Sequence, residues 1–220
     1  MTSPRTNKRT ARSRQEFRTV PWFRIAIGVM VVLGGVAIAL SAAEQDADDG
    51  AATAPVTVDG EPLPEFAGDP GSDRGIGQPA PAVTGLSIDG QPLSIRPQGD
   101  GPTAVVFLAH WCPHCQAEVT EVQGWLEDEQ LPTGVNLRAV STLVEPSRPN
   151  FPPAAWLERE GWSVPTLVDD GNSSVAEAYG LSGTPFWVFA DDEGRAVLRT
   201  SGRLPLDQLQ AILQRLASEG

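Results

Sequence analysis

The apolar positions divide the chain into a long unbroken run, a sparse stretch, and a segment where short apolar runs alternate with helical patterns. Residues 25–43 are nineteen consecutive uncharged positions rich in Ile, Val, Leu, Ala and Gly. As a helix such a run reaches about 28 Å, close to a bilayer core. Residues 44–76 hold nine acids, four Pro and five Gly with Phe66 as the only aromatic, which predicts a disordered tether. From residue 77 the pattern changes. Positions 83–88 and 92–95 alternate around Asp89-Gly90 and predict a hairpin, and the continuous apolar run 103–108 predicts a buried central strand. Val119, Val122 and Leu126 recur at helical spacing behind Pro113, a residue suited to a first helical turn. Strands are predicted at 135–143 and 164–168, a short helix at 154–160, and a helical turn at 174–179 stopped by Gly180. Positions 186–190 and 196–200 flank Asp191-Asp192-Glu193-Gly194 as a second hairpin, and Leu206, Leu209, Ile212, Leu213 and Leu216 form the apolar face of a terminal helix. The sum is a three-layer α/β domain around a mixed sheet.

Charge sharpens this division. The net charge of −12 over 220 residues argues against nucleic acid as a partner. It conceals a basic block, because residues 1–24 carry seven Lys and Arg against Glu16 alone, while residues 25–220 carry nine Arg against twenty-seven acids. A basic block before an apolar run predicts a cytoplasmic N-terminus, with Trp22 and Phe23 at the interface. The expected organisation is a basic cytoplasmic tail 1–24, a transmembrane anchor 25–43, an acidic Pro/Gly-rich linker 44–76, and one folded domain 77–220 outside the cytoplasm. A cleaved secretory signal is the alternative, since Ala39-Leu40-Ser41 and Ser41-Ala42-Ala43 offer small-residue cleavage sites. Both readings put the domain in an extracytoplasmic compartment.

The two cysteines, Cys112 and Cys115, lie at i and i+3, where the helix begins. Unpaired N–H groups and the macrodipole at a helix N-terminus favour a thiolate, which makes Cys112 the candidate nucleophile. Cys115, one turn on, is placed to resolve a mixed disulfide on Cys112. The only two histidines, His110 and His114, flank the pair. A donor or positive charge at His114 would stabilise the Cys112 thiolate, whereas His110 is either a satisfied loop histidine or a second tuning group. A c-type haem site requires His after the second Cys, but position 116 is Gln. A zinc site requires four ligands and a second pair is missing, so no metal is expected. No organic cofactor is expected either, since the thiols carry the electrons. An inert disulfide across so short a loop would add little stability.

Trp111-Cys112-Pro113-His114-Cys115 after a buried strand resembles the active site of the thioredoxin superfamily. Gly77-Gln78-Pro79-Ala80-Pro81 resembles the lead-in segment of its TlpA-like (DsbE-like) membrane-anchored branch. Gly183-Thr184-Pro185 resembles its cis-proline loop, and Asp192-Glu193-Gly194 its following hairpin. The resemblance implies a thioredoxin fold and thiol–disulfide exchange with protein substrates. It also implies a cis peptide before Pro185 and a client groove of Trp111, Thr184 and Pro185, where the Thr184 backbone pairs with a substrate strand across from Cys112. The Pro113-His114 pair is similar to that of the oxidising DsbA-like proteins, and a DsbA-like potential lies about 150 mV above a thioredoxin-like one. The expected activity is therefore oxidation of secreted proteins. Reduction of protein disulfides, as in cytochrome c maturation, is the alternative, because TlpA-like relatives often serve it. A redox-inactive client-binding module is a second alternative. A single Cys pair needs a membrane or extracytoplasmic redox partner to reset it. The chain departs from thioredoxins and DsbA-like proteins at Val106, six positions before Cys112, where those have an acid. Proton acceptance from Cys115 then falls to Glu118 or solvent.

Overall fold

The computed structural model describes residues 53–219. The basic tail 1–24, the anchor 25–43 and the first part of the linker, to residue 52, lie outside the described residues. Among those described, no helix is long and apolar enough to cross a membrane. In chain order the elements are β1 Thr57–Asp59, β2 Ala82–Leu86, β3 Pro92–Ile95, α1 Pro97–Asp100, β4 Thr103–Leu108, α2 Pro113–Asp128, β5 Asn136–Ser141, α3 Pro153–Arg159, β6 Thr166–Val168, α4 Ser174–Ala178, β7 Phe186–Ala190, β8 Ala196–Ser201 and α5 Leu206–Glu219.

All six residues of β4 are buried, so both of its faces must be covered. It forms the centre of a five-stranded sheet ordered β6-β5-β4-β7-β8. β4 runs parallel to β5 and antiparallel to β7, and the sheet is mixed as expected. Ala104, Val106 and Leu108 face one cluster with Val119, Val122 and Trp125 of α2, Trp156 and Leu157 of α3, and Leu209, Leu213 and Leu216 of α5. Val105 and Phe107 face the other, with Val175 and Ala176 of α4, Val83 and Ile95 of the β2–β3 hairpin, and Leu63 and Phe66. This alternation follows from the period of two along a strand. The predicted hairpin turn at Asp89-Gly90 is present, with Val83 opposite Ile95.

The disordered tether expected over residues 44–76 does not hold from residue 53 onward, where the chain is a strap folded onto the sheet. β1 pairs antiparallel with β2, and the backbones of Leu63 and Phe66 donate to Ala178 O (2.8 Å) and Gly180 O (2.9 Å). Phe66 is 2% exposed, with its ring 5.6 Å from Phe186, and burying a side chain of that size contributes roughly 1.5–3 kcal/mol. Asp73 forms a buried ion pair with Arg199 of β8. Leu63 and Phe66, with Val56 and Val58 packed beside them, land on one face of the domain, while Ile76 stays exposed. An average over composition hides this, and the domain therefore begins before residue 77.

Candidate active site

β4 delivers the chain to Ala109, and a tight turn closed by Cys112 N–H to Ala109 O (3.0 Å) leads into α2. Cys112 occupies the N-cap in extended conformation with Pro113 following as the first helical residue, and Cys112 O accepts from Gln116 N–H (3.1 Å). Pro113 lacks only an N–H that would have had no helical partner. Cys112 is 7% exposed and Cys115 is fully buried, and both thiols are free.

The two sulfurs sit in different fields. Burial opposes ionisation of Cys112. The backbone N–H of Cys115, the Thr184 and Cys115 side chains and the backbone N–H of His114 outweigh it, and the Cys112 thiol lies below its ordinary range. Cys115 is pushed up to about 12, chiefly by burial and further by the charge of Cys112, although Ala109 N–H donates to its sulfur at 3.3 Å. Of the two thiols, Cys112 therefore ionises first, as a helix N-terminus favours. Cys112 Sγ donates to Thr184 O at 3.4 Å, and the Thr184–Pro185 peptide is cis. Gly202 N–H to Pro185 O (2.8 Å) and Ser201 Oγ to Gly183 O (3.2 Å) fasten that loop to β8.

Pro113 and His114 are exposed beside this pair, and what His114 supplies to Cys112 is its backbone N–H. His110 is fully buried and hydrogen-bonded at both ring nitrogens, so it is the satisfied loop histidine of the two readings. Trp111 is half-buried, donates from Nε1 to Leu143 O (2.8 Å), and carries the Arg148 guanidinium 4.6 Å above its ring. Val106 is buried in the same cluster as Cys115 and Val119. An acid is instead found on α2, where Glu118 lies three residues after Cys115. Its Oε1 accepts from Trp187 Nε1 (2.7 Å), and Leu204 N–H reaches Oε1 and Oε2 at 3.2 and 3.3 Å. Burial raises the Glu118 carboxyl above the usual range despite these donors and Arg203. The sequence offered Glu118 only alongside solvent as the proton acceptor. Trp187 and Leu204, which cradle it, come from 69 and 86 positions away and leave no local signal. Among the described residues no group of three or more His, Cys, Asp or Glu is arranged to hold a metal.

Comparison with known proteins bears on the fold that carries this arrangement. Residues 76–201 match the AhpC/TSA family. Similar solved structures include a thiol:disulfide interchange protein DsbE from Chlorobium tepidum, with TM-score 0.53 and 18% identity over 64% of this chain and 97% of that one. StoA from Bacillus subtilis is similar at TM-score 0.51 and 20% identity, over 62% of this chain and 98% of that one. The thioredoxin domain of a thiol-disulfide oxidoreductase from Bacteroides vulgatus is similar at TM-score 0.51 and 21% identity, over 64% and 97% respectively. At such identities the likeness establishes the fold, an α/β thioredoxin fold with a mixed sheet.

Proposed function

The chain belongs to the AhpC/TSA family, and from that premise we propose that it is a thiol-disulfide oxidoreductase acting on protein substrates through Cys112 and Cys115. The observation that carries this reading is the asymmetry of the pair, with Cys112 lowered at a helix N-terminus and Cys115 pushed up to about 12. In the oxidising direction a client thiolate attacks Cys112 Sγ of the Cys112–Cys115 disulfide. The S–S bond breaks, a client–Cys112 disulfide forms, and Cys115 leaves with the electron pair and takes up a proton. A second client thiolate then attacks the client sulfur of the mixed disulfide and expels Cys112 as a thiolate. A stabilised Cys112 thiolate is a good leaving group and favours the reduced enzyme, which is the condition for an oxidant. The backbone N–H groups of Cys115 and His114 feed this stabilisation, with Pro113 opening the helical turn that carries them, and Trp111, Thr184 and Pro185 line the groove where the client lies.

Glu118 supports the reverse reading, reduction of client disulfides such as those in cytochrome c maturation. There Cys115 must lose its proton to attack the mixed disulfide, and a buried carboxylate of raised pKa one turn along the same helix can take it. In either direction the chain works outside the cytoplasm, held by the anchor 25–43 with the tail 1–24 inside, or released by signal cleavage. A membrane or extracytoplasmic partner resets the pair.

Titration of the pair in glutathione buffers, read by Trp fluorescence, separates the directions. A potential near about −120 mV means a disulfide donor, and one near about −270 mV or lower a reductant. Insulin reduction by wild type and Cys112→Ser tests the class itself, because equal rates would leave only a redox-inactive binding module.

A further inference from the structure

His110 is a fully buried polar residue two positions before Cys112, and every polar atom of it except the backbone N–H is engaged by groups far along the chain. Its Nδ1 lies 2.7 Å from Pro149 O and its Nε2 3.2 Å from Glu145 N. A carbonyl only accepts and an amide N–H only donates, so the ring must be neutral with its proton on Nδ1. The His110 carbonyl accepts from Asn150 Nδ2 (3.2 Å) and Gln116 Nε2 (3.3 Å). The loop it grips, residues 143–150, is left-handed at Asn150 (φ 64°), which asparagine adopts readily, and at Leu143 (φ 52°), a conformation that a leucine keeps only when its surroundings hold it. Leu143 O anchors the Trp111 indole and Arg148 covers its ring. Between Trp111 and this loop lies a recess of about 290 Å³, lined also by Val144 and Asp170.

We infer that His110 is a positioning residue, a clasp that holds the 143–150 loop against Trp111 so that the loop forms a wall of the client groove. The inference rests on the oxidoreductase reading above and deepens it. The clasp works in one protonation state. A second ring proton would turn Nε2 into a donor facing the Glu145 N–H, and that bond would be lost. Burial already lowers the His110 pKa against the raising effects of Pro149 O and the Glu145 charge, so the clasp is closed at neutral pH. Of the charged groups around it, Glu145 belongs to the loop and is itself bound by Ser147, while Arg159 of α3 reaches the loop at Asn150 Oδ1 (2.8 Å). From α2 the uncharged Gln116 reaches the His110 carbonyl rather than the ring, and the Phe151 ring lies edge-on to the imidazole at 6.1 Å.

The test uses the full-length chain with a reduced unfolded protein or insulin as client. His110→Ala should raise the client KM by about fivefold to tenfold, the scale of one or two lost hydrogen bonds, with kcat changed less. His110→Asn can restore the donor towards Pro149 O and His110→Gln the acceptor towards Glu145 N–H, and each should recover part of the loss. Wild-type KM should rise in acid as His110 titrates, a rise absent from the Asn and Gln variants. Hydrogen exchange at the Glu145 amide supplies a readout independent of turnover, with the intrinsic rate corrected for pH. Its protection should fall in acid in the wild type and be low at all pH in His110→Asn. Folded variants with wild-type KM and full Glu145 protection would overturn the clasp while leaving the oxidoreductase reading intact. A wild type that turns over neither client, yet shows acid-labile Glu145 protection, would overturn that reading and show that the clasp holds a loop without a client role.

Discussion

Asp73 in the strap and Glu118 in the active site each keep a carboxylate side chain only 1% exposed, yet their cations differ. Asp73 meets Arg199, itself fully buried, whose Nε lies 2.8 Å from Asp73 Oδ2 and whose Nη2 pairs with Oδ1. Arg199 also donates from Nη1 to Pro64 O (2.8 Å) and Tyr179 O (3.0 Å), so one guanidinium ties the strap to β8 and to the end of α4. Among the described residues the one cation near Glu118 is Arg203, 40% exposed and 4.0 Å away, with Glu121 competing for it. The outcome follows from the partners. Burial would raise Asp73, but Arg199 and the Gly75 N–H outweigh it and hold the carboxyl below its usual range. Burial of Glu118 is not outweighed, and its carboxyl is raised. A closely paired buried charge is a structural lock, whereas a loosely paired one can change its protonation state, which is what the role proposed for Glu118 requires.

The lock is broken most severely from the Arg199 side. Arg199→Met should cost about 3–5 kcal/mol in urea unfolding, because it strands the Asp73 carboxylate in the interior. Replacing both partners, as Arg199→Met with Asp73→Leu, should recover most of that loss, since a buried ion pair often does little better than apolar side chains of similar volume. A double variant as unstable as the single one would mean that the bonds to Pro64 O and Tyr179 O, rather than the charge pair, hold the strap.

The exchanger responds to a subtler change. Glu118→Gln keeps the shape and an acceptor for Trp187 and Leu204 but cannot take a proton. The rate of client disulfide reduction should fall about a hundredfold, the scale of a lost general base, while the attack of Cys112 on a small disulfide probe is altered far less. Stopped-flow Trp fluorescence resolves the two steps. An unchanged resolution rate would give the Cys115 proton to solvent.

The seat of the strap can be probed without touching a charge. Gly180 has φ +69°, and a β-carbon there would collide with Pro64 O and Arg199 Nη1. Gly180→Ala should therefore cost about 1–3 kcal/mol, read by thermal or urea unfolding.

What the sequence made legible was local. The apolar run of β4, the Asp89-Gly90 turn, the pair at Cys112 and Cys115, and the loop at Pro185 each announce themselves within a few residues. The missing acid at Val106 was equally plain, and the sequence left Glu118 or solvent in its place. The strap was not legible because Leu63, Phe66 and Asp73 are scattered among Pro, Gly and acids, and their partners Phe186 and Arg199 lie more than a hundred positions away. His110 stood ambiguous for the same reason. Its role is decided by Glu145 and Pro149, 35 and 39 residues on.

The smallest expected effect is the one that separates the two carboxylates by sign. With its native pKa lowered, Asp73 is deprotonated in the folded state while the unfolded chain still binds a proton. Its contribution is therefore present above the ordinary Asp range and is lost as pH falls through the lower folded value. With its native pKa raised, Glu118 behaves oppositely. Between the ordinary Glu range and the higher folded value the folded state holds the proton, so its contribution is present at low pH and is lost as pH rises through that window. Asp169, also raised by burial, adds to the same slope, so the wild-type curve alone does not isolate Glu118. Subtraction does. The stability of Glu118→Gln relative to wild type should increase as pH rises through the window above the ordinary Glu range. Asp73→Asn relative to wild type should fare best at the acid end and lose ground as pH rises. Parallel difference curves for the two variants would mean that Glu118 is as firmly paired as Asp73, and would remove the basis for treating it as the group that takes the Cys115 proton.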